Sequence, residues 1–172
     1  GCKADIQLSG GRRPPMRRAA LPLALLLLMI TSGAAGVPFS AAVTLDGKPF
    51  EAAGHVTIVN YWATWCAQCR AEMPVLDAFY RKHQAEGLAM VAVSLDDGAS
   101  KAKLRQVTSG FAFPVARIDD VKMSRKDIPK ALPVTRIYDR TGKLVFATRG
   151  DGRSTIDAAT LERVVSPLLA KR

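Results

Sequence analysis

A buried strand running directly into a helix, with two cysteines at the junction, narrows the folds open to this chain more than any other feature. Val56, Thr57, Ile58, Val59 and Tyr61 make a β-branched and aromatic run that reads as a buried strand over 56–63. From Cys66 the period changes: Met73, Leu76, Phe79 and Tyr80 recur at helical spacing, and Gly87 supplies a stop, so a helix is expected over 66–86. Cys66 then sits where unpaired backbone N–H groups and the helix dipole favour negative charge. Such a position lowers a thiol pKa and makes the reactive thiolate. Cys69 falls one turn deeper, within reach of the first sulfur and better shielded. The spacing therefore offers one nucleophilic and one resolving thiol.

The rest of the chain reads as alternating strand and helix. Val43–Leu45 and Lys48–Phe50 flank Asp46-Gly47, a pair suited to a type I′ turn, and predict a small N-terminal hairpin. Leu88–Leu95 is a continuous apolar run fit for a central parallel strand. Ser100 can cap a helix to about Ser109, Phe113–Ile118 reads as a short strand, and 121–131 as a brief helical or irregular piece. Val134–Tyr138 and Leu144–Thr148 form a hairpin across Arg140-Thr141-Gly142. Ser154 or Thr155 is expected to cap a last helix that buries Leu161, Val164, Val165 and Leu168. Pro74 and Pro167 lie inside the first and last helices. The pattern predicts an α/β fold with a central mixed sheet.

Charge and cysteine count exclude several classes. The net charge is +10, and residues 1–36, with Lys3, Arg12, Arg13, Arg17 and Arg18 against Asp5, hold four of those charges. The remaining basic residues are scattered among acids, without the stripe and aromatic platforms that nucleic-acid binding needs. Of three cysteines, Cys2 lies near the N-terminus with no assigned role, so no disulfide framework is available to residues 37–172. A structural zinc wants four ligands, and His55 and His83 are not spaced to join the pair, so no metal or cofactor is expected.

Met16-Arg17-Arg18, the apolar run from Ala19 to Ile30 and the small residues to Gly36 have the anatomy of a secretory signal. Residues 16–36 are thus expected to be a signal peptide cleaved near 34–36, or an uncleaved N-terminal anchor. Residues 1–15 do not fit a signal and read as an upstream extension, with Met16 as the start. Export to the periplasm or another extracytoplasmic space follows, with residues 37–172 as the exported domain.

The segment Val59-Asn60-Tyr61-Trp62-Ala63-Thr64-Trp65-Cys66-Ala67-Gln68-Cys69-Arg70-Ala71-Glu72-Met73-Pro74 resembles the active site of thioredoxin-fold proteins, in particular the TlpA/ResA-like thiol–disulfide oxidoreductases. The likeness extends over residues 37–172. It implies a thioredoxin-like sheet with helices on both faces and an N-terminal β-hairpin. It implies a monomer that reduces disulfides of specific partner proteins, with electrons returned by a membrane thiol donor. Apocytochrome c and copper-site assembly proteins are among the family's partners.

By the same resemblance Cys66, Cys69 and Glu72 are catalytic candidates, and Trp65, Leu132 and Pro133 contact substrate. Pro133 matches the cis-proline that faces the cysteine pair, leaving the Leu132 backbone to pair with an extended partner segment. Glu72 matches a glutamate that handles protons; a solvated glutamate early in a helix is the other reading. Asn60 stands where thioredoxin has a buried Asp, and Arg136 where the family carries an apolar residue, so it either snorkels to an edge or pairs with a carboxylate. Ala67-Gln68 and Leu132 also depart from the common pattern. Three other functions compete: a peroxidase-like redoxin, a Cu(I)-binding chaperone using the same thiols, and a binding module with an idle disulfide. The first would need Pro-x-x-x-Thr-x-x-Cys, which Thr64-Trp65-Cys66 does not supply.

Overall fold

The computed structural model describes residues 36–171. The expected extension and all of the expected leader except Gly36 lie outside the described residues. Among the described residues no helix is long and apolar enough to cross a membrane.

The described residues form a six-stranded mixed sheet in the order β1-β4-β3-β2-β5-β6. Its centre is β2 (Val56–Trp62), buried at every position, parallel to β3 (Leu88–Ser94) and antiparallel to β5 (Val134–Tyr138). Burial on both faces is why the two parallel strands read as unbroken apolar runs. β4 (Val115–Met123) pairs with β3 through three residues only, then continues antiparallel to β1 (Phe39–Thr44). β6 (Leu144–Ala147) closes the other edge.

Among the described residues the α-helices are α1 (Ala67–His83), α2 (Lys101–Thr108) and α3 (Ala158–Ala170). Their caps follow local chemistry: Ser100 Oγ accepts from Lys103 N at 3.2 Å, and Gly87 ends the 3₁₀ turn after α1 at φ 92°. The last helix is capped by Asp157, whose Oδ1 accepts from Thr160 N at 2.7 Å, not by Ser154 or Thr155. Ser154 is instead spent in the preceding loop, accepting from Arg149 N.

One strand boundary also changes. The strand expected at 113–118 runs to Met123, because β1 supplies the ladder partners for Val121 to Met123 that local sequence could not reveal. The expected N-terminal hairpin is present, turning at Gly47 (φ 77°) and closed by a Val43–Pro49 bridge, while β1 also pairs along β4. The covers of the sheet are also unequal. All three helices deliver Met73, Leu76, Leu104, Leu161 and Val165 to the face holding Ile58, Met90 and Ile137. The opposite face, with Val59, Tyr61, Val91, Val93 and Tyr138, is covered by Phe50, Leu95, Ile118, Met123 and Leu132 from strands and loops. The 3₁₀ turn Arg125–Asp127 lies on that side, and its Asp127 carbonyl meets Arg136.

Candidate active site

Cys66 is the N-cap of α1, at extended φ −83° and ψ 100°, and its Sγ accepts the Cys69 N–H at 3.1 Å. It is joined to Cys69 in a disulfide with Cα atoms 5.3 Å apart. Cys69 has no exposure, whereas Cys66 keeps 8%. A thiolate released at Cys66 would meet the same N–H donor and the positive end of the helix dipole. His83 ends the same 17-residue helix, about 25 Å from Cys66 at 1.5 Å per residue, and cannot join the pair.

The junction is held by residues the sequence reading did not single out. Asp96 accepts from Thr64 N at 2.9 Å, from Thr64 Oγ1 at 2.6 Å and from Ser94 Oγ at 2.7 Å. This carboxylate ties the end of β3 to the turn before the cysteines; Asp96-Asp97-Gly98 alone looks like an ordinary loop. Trp65 follows Thr64 and stands out, 71% exposed, while Trp62 is wholly buried. Arg70 is exposed on the helix surface.

The Leu132–Pro133 peptide is cis. Gly150, at φ 70°, backs this loop so closely that an added Cβ would stand 2.8 Å from the Ala131 carbonyl oxygen. Behind the loop, Asn60 is fully buried and donates from Nδ2 to Thr135 Oγ1 at 3.0 Å. Thr135 N donates in turn to Thr148 Oγ1 at 2.8 Å. Asn60 is thus a neutral hydrogen-bonding residue that links β2 and β5.

Glu72 lies one turn beyond Cys69 and is 6% exposed, so it is not a solvated helix glutamate. Its Oε1 accepts from Ile156 N at 3.3 Å. Burial pushes its carboxyl pKa up, and the Ile156 bond offsets part of that rise. Arg136 pairs with no carboxylate among the described residues: it donates to the Asp127 carbonyl at 2.9 Å and lies over the Tyr61 ring, 5.2 Å from its centroid.

The structure therefore brings Cys66 and Cys69 together at a helix start, buries Glu72 on the same helix, exposes Trp65 and turns Leu132–Pro133 as a cis pair. A dithiol in this setting can exchange with a disulfide, gaining or giving two electrons.

Comparison with known proteins agrees with this chemistry. A sequence model of the AhpC/TSA family matches residues 39–147, more than half of the chain. The thiol-disulfide oxidoreductase ResA of Bacillus thuringiensis (strain Al Hakam) is 27% identical over 158 residues, covering 79% of this chain and 91% of that one. The thioredoxin-like protein YneN of Bacillus subtilis is 33% identical over 105 residues, covering 58% of this chain and 61% of that one. Among solved structures, a secreted Mycobacterium tuberculosis disulfide oxidoreductase homologous to E. coli DsbE superposes with a TM-score of 0.62 at 22% identity, over 74% of this chain and 95% of that one. The chain belongs to the AhpC/TSA family, and within it is a ResA/TlpA-like disulfide oxidoreductase of the thioredoxin superfamily.

Proposed function

We propose that the protein is exported and reduces disulfides of specific extracytoplasmic partner proteins through Cys66 and Cys69. The observation that carries this reading is the Cys66 sulfur at the α1 N-cap, receiving the Cys69 N–H beside a buried resolving thiol. Export rests on the signal-like pattern over 16–36.

In the reduced protein the Cys66 thiolate attacks one sulfur of the partner's disulfide. A bond forms between Cys66 and that sulfur, and the partner's other sulfur leaves as a thiolate. Glu72, its proton affinity raised by burial, takes the Cys69 proton. Cys69 then attacks Cys66, the mixed disulfide breaks and the second partner thiolate leaves. The partner gains two electrons, and the protein keeps the Cys66–Cys69 disulfide until a membrane thiol donor reduces it. Exposed Trp65 offers a flat apolar contact, and the backbone beside cis Leu132–Pro133 pairs with the partner's extended segment. Apocytochrome c and copper-site assembly proteins are the partner classes this reading carries.

Equilibrium titration of the full chain in dithiothreitol and glutathione buffers, with thiol trapping, tests the assignment. A reversible two-electron couple near the thioredoxin value of about −270 mV is expected. A value near about −120 mV, as in DsbA, would reverse the direction assigned here. Absence of a reversible couple would overturn the function.

A further inference from the structure

Arg136 is a poor choice for a covered sheet face. A guanidinium keeps its charge at any accessible pH and carries five N–H donors. Half-buried on β5, it donates to one backbone carbonyl, lies over the Tyr61 ring and stands beside the Tyr61 and Tyr138 hydroxyls. Among the described residues no carboxylate pairs with it, nor with its neighbours Lys130 and Arg149. Arg136 lines an open groove, so its remaining N–H donors are free to take an anion.

The surroundings show where an anion would lie. Lys130, Arg136 and Arg149 line one open groove of about 540 Å³, with Tyr138 on its wall and Asp127 as its single acidic residue. Three cations against one acid make the groove positive. Its floor is the β5 face carrying Val134, Arg136 and Tyr138, opposite the helices. Its near end is Ala131, next to Leu132 and cis-Pro133. Gly150 presses on the Ala131 carbonyl and so holds the preceding Arg149 beside that loop.

We propose that this groove binds acidic side chains flanking the target disulfide of the partner protein, and so selects partners whose reactive cysteine is followed or preceded by aspartate or glutamate. The inference rests on the disulfide-reductase reading above, because that reading brings the partner's chain to Leu132–Pro133. A segment paired there and continuing across β5 would carry its side chains over Arg136. Carboxylates suit a planar guanidinium through paired N–H···O bonds, and lysine and arginine at the rim add attraction and orientation.

The test uses the reduced full chain and disulfide peptides that differ only at two residues beside one cysteine: Asp-Asp, Asn-Asn or Lys-Lys, placed before or after it. Single-turnover rate constants are read from tryptophan fluorescence, and binding from anisotropy of labelled peptides with serine for cysteine. At low salt one Asp-Asp placement should be reduced roughly tenfold faster than its Asn-Asn counterpart, a ratio set by one charged hydrogen-bonded contact. The Lys-Lys peptides should be slowest, and high salt should shrink every difference. Arg136→Gln should remove most of the Asp-Asp advantage, and Arg149→Gln, at an exposed position that does not threaten folding, part of it. Equal rates for all peptides, or an Asp-Asp advantage unchanged in both variants, would overturn the groove while leaving the reductase reading intact. If no peptide is reduced, that reading fails. The groove is then judged by anisotropy: Asp-Asp binding weakened in both variants upholds it, and charge-independent binding rejects it.

Discussion

Glu72 on α1 and Arg136 on β5 are ionisable residues at opposite faces of one sheet, and the two faces treat them differently. On the helical face, α1 and the segment leading into α3 close around the Glu72 carboxyl and leave it one backbone donor. A carboxylic acid can answer burial by holding its proton, and the pKa moves up. On the other face Arg136 has no such escape, because its guanidinium stays protonated. Strand and loop residues cover that face, so the cation stays at the edge of an open groove. A closed cover shifts a proton equilibrium there; an open cover leaves a charge free to meet a partner.

The largest expected effect concerns the closed face itself. Leu161 on α3 is fully buried, and Leu161→Ala should cost about 3 kcal/mol in urea unfolding. Leu144→Ala on β6, at a residue 48% exposed, should change stability by no more than about 0.5 kcal/mol. Similar losses at both positions would break the contrast between the helical cover and the open edge.

Glu72 sharpens the comparison through pH. Its folded-state pKa lies above the unfolded one, so its contribution is fully present below the ordinary carboxylate range. That contribution is lost as pH rises through the folded-state value. Glu72→Gln keeps an acceptor for Ile156 N and removes the titration. The variant should therefore be more stable than the parent at neutral pH, with a flatter slope on the acid side and the advantage gone at low pH. Urea midpoints across pH measure this; a variant less stable at neutral pH would mean that the helical face favours the carboxylate.

On the open face a substitution at Arg136 should also have a small effect. Arg136→Leu should change unfolding stability by less than about 1 kcal/mol in either direction, because lost polar contacts are offset by apolar packing on Tyr61. A loss of more than about 2 kcal/mol would assign Arg136 to the fold instead of to partner binding.

The strand-to-helix junction was legible because its signals are local: a β-branched run, a change of period and two cysteines three apart. The same holds for Ser100, for Gly87 and for the 134–147 hairpin, where Asp139 Oδ1 accepts from Thr141 N and Lys143 N within a few residues. The full length of β4 was hidden, since its second half is a strand only by pairing with β1, more than seventy residues earlier. Asp96 was missed for a similar reason: its partner Thr64 is 32 residues away, and a loop aspartate carries no mark of that contact. Asp157 won the α3 cap from Ser154 because Ser154 was already engaged by Arg149 N and Asp151.

By itself the sequence determined the central strand, the cysteine pair at a helix start and the thioredoxin-like succession of elements, all of which depend on neighbours within a turn or a strand length. It marked Glu72 and Arg136 as open questions without resolving either. Tertiary structure decided those two, because the cost of a charge depends on what the rest of the chain brings around it. Ile156, 84 residues beyond Glu72, closes over the carboxyl, and the Arg125–Asp127 3₁₀ turn leaves Arg136 its groove.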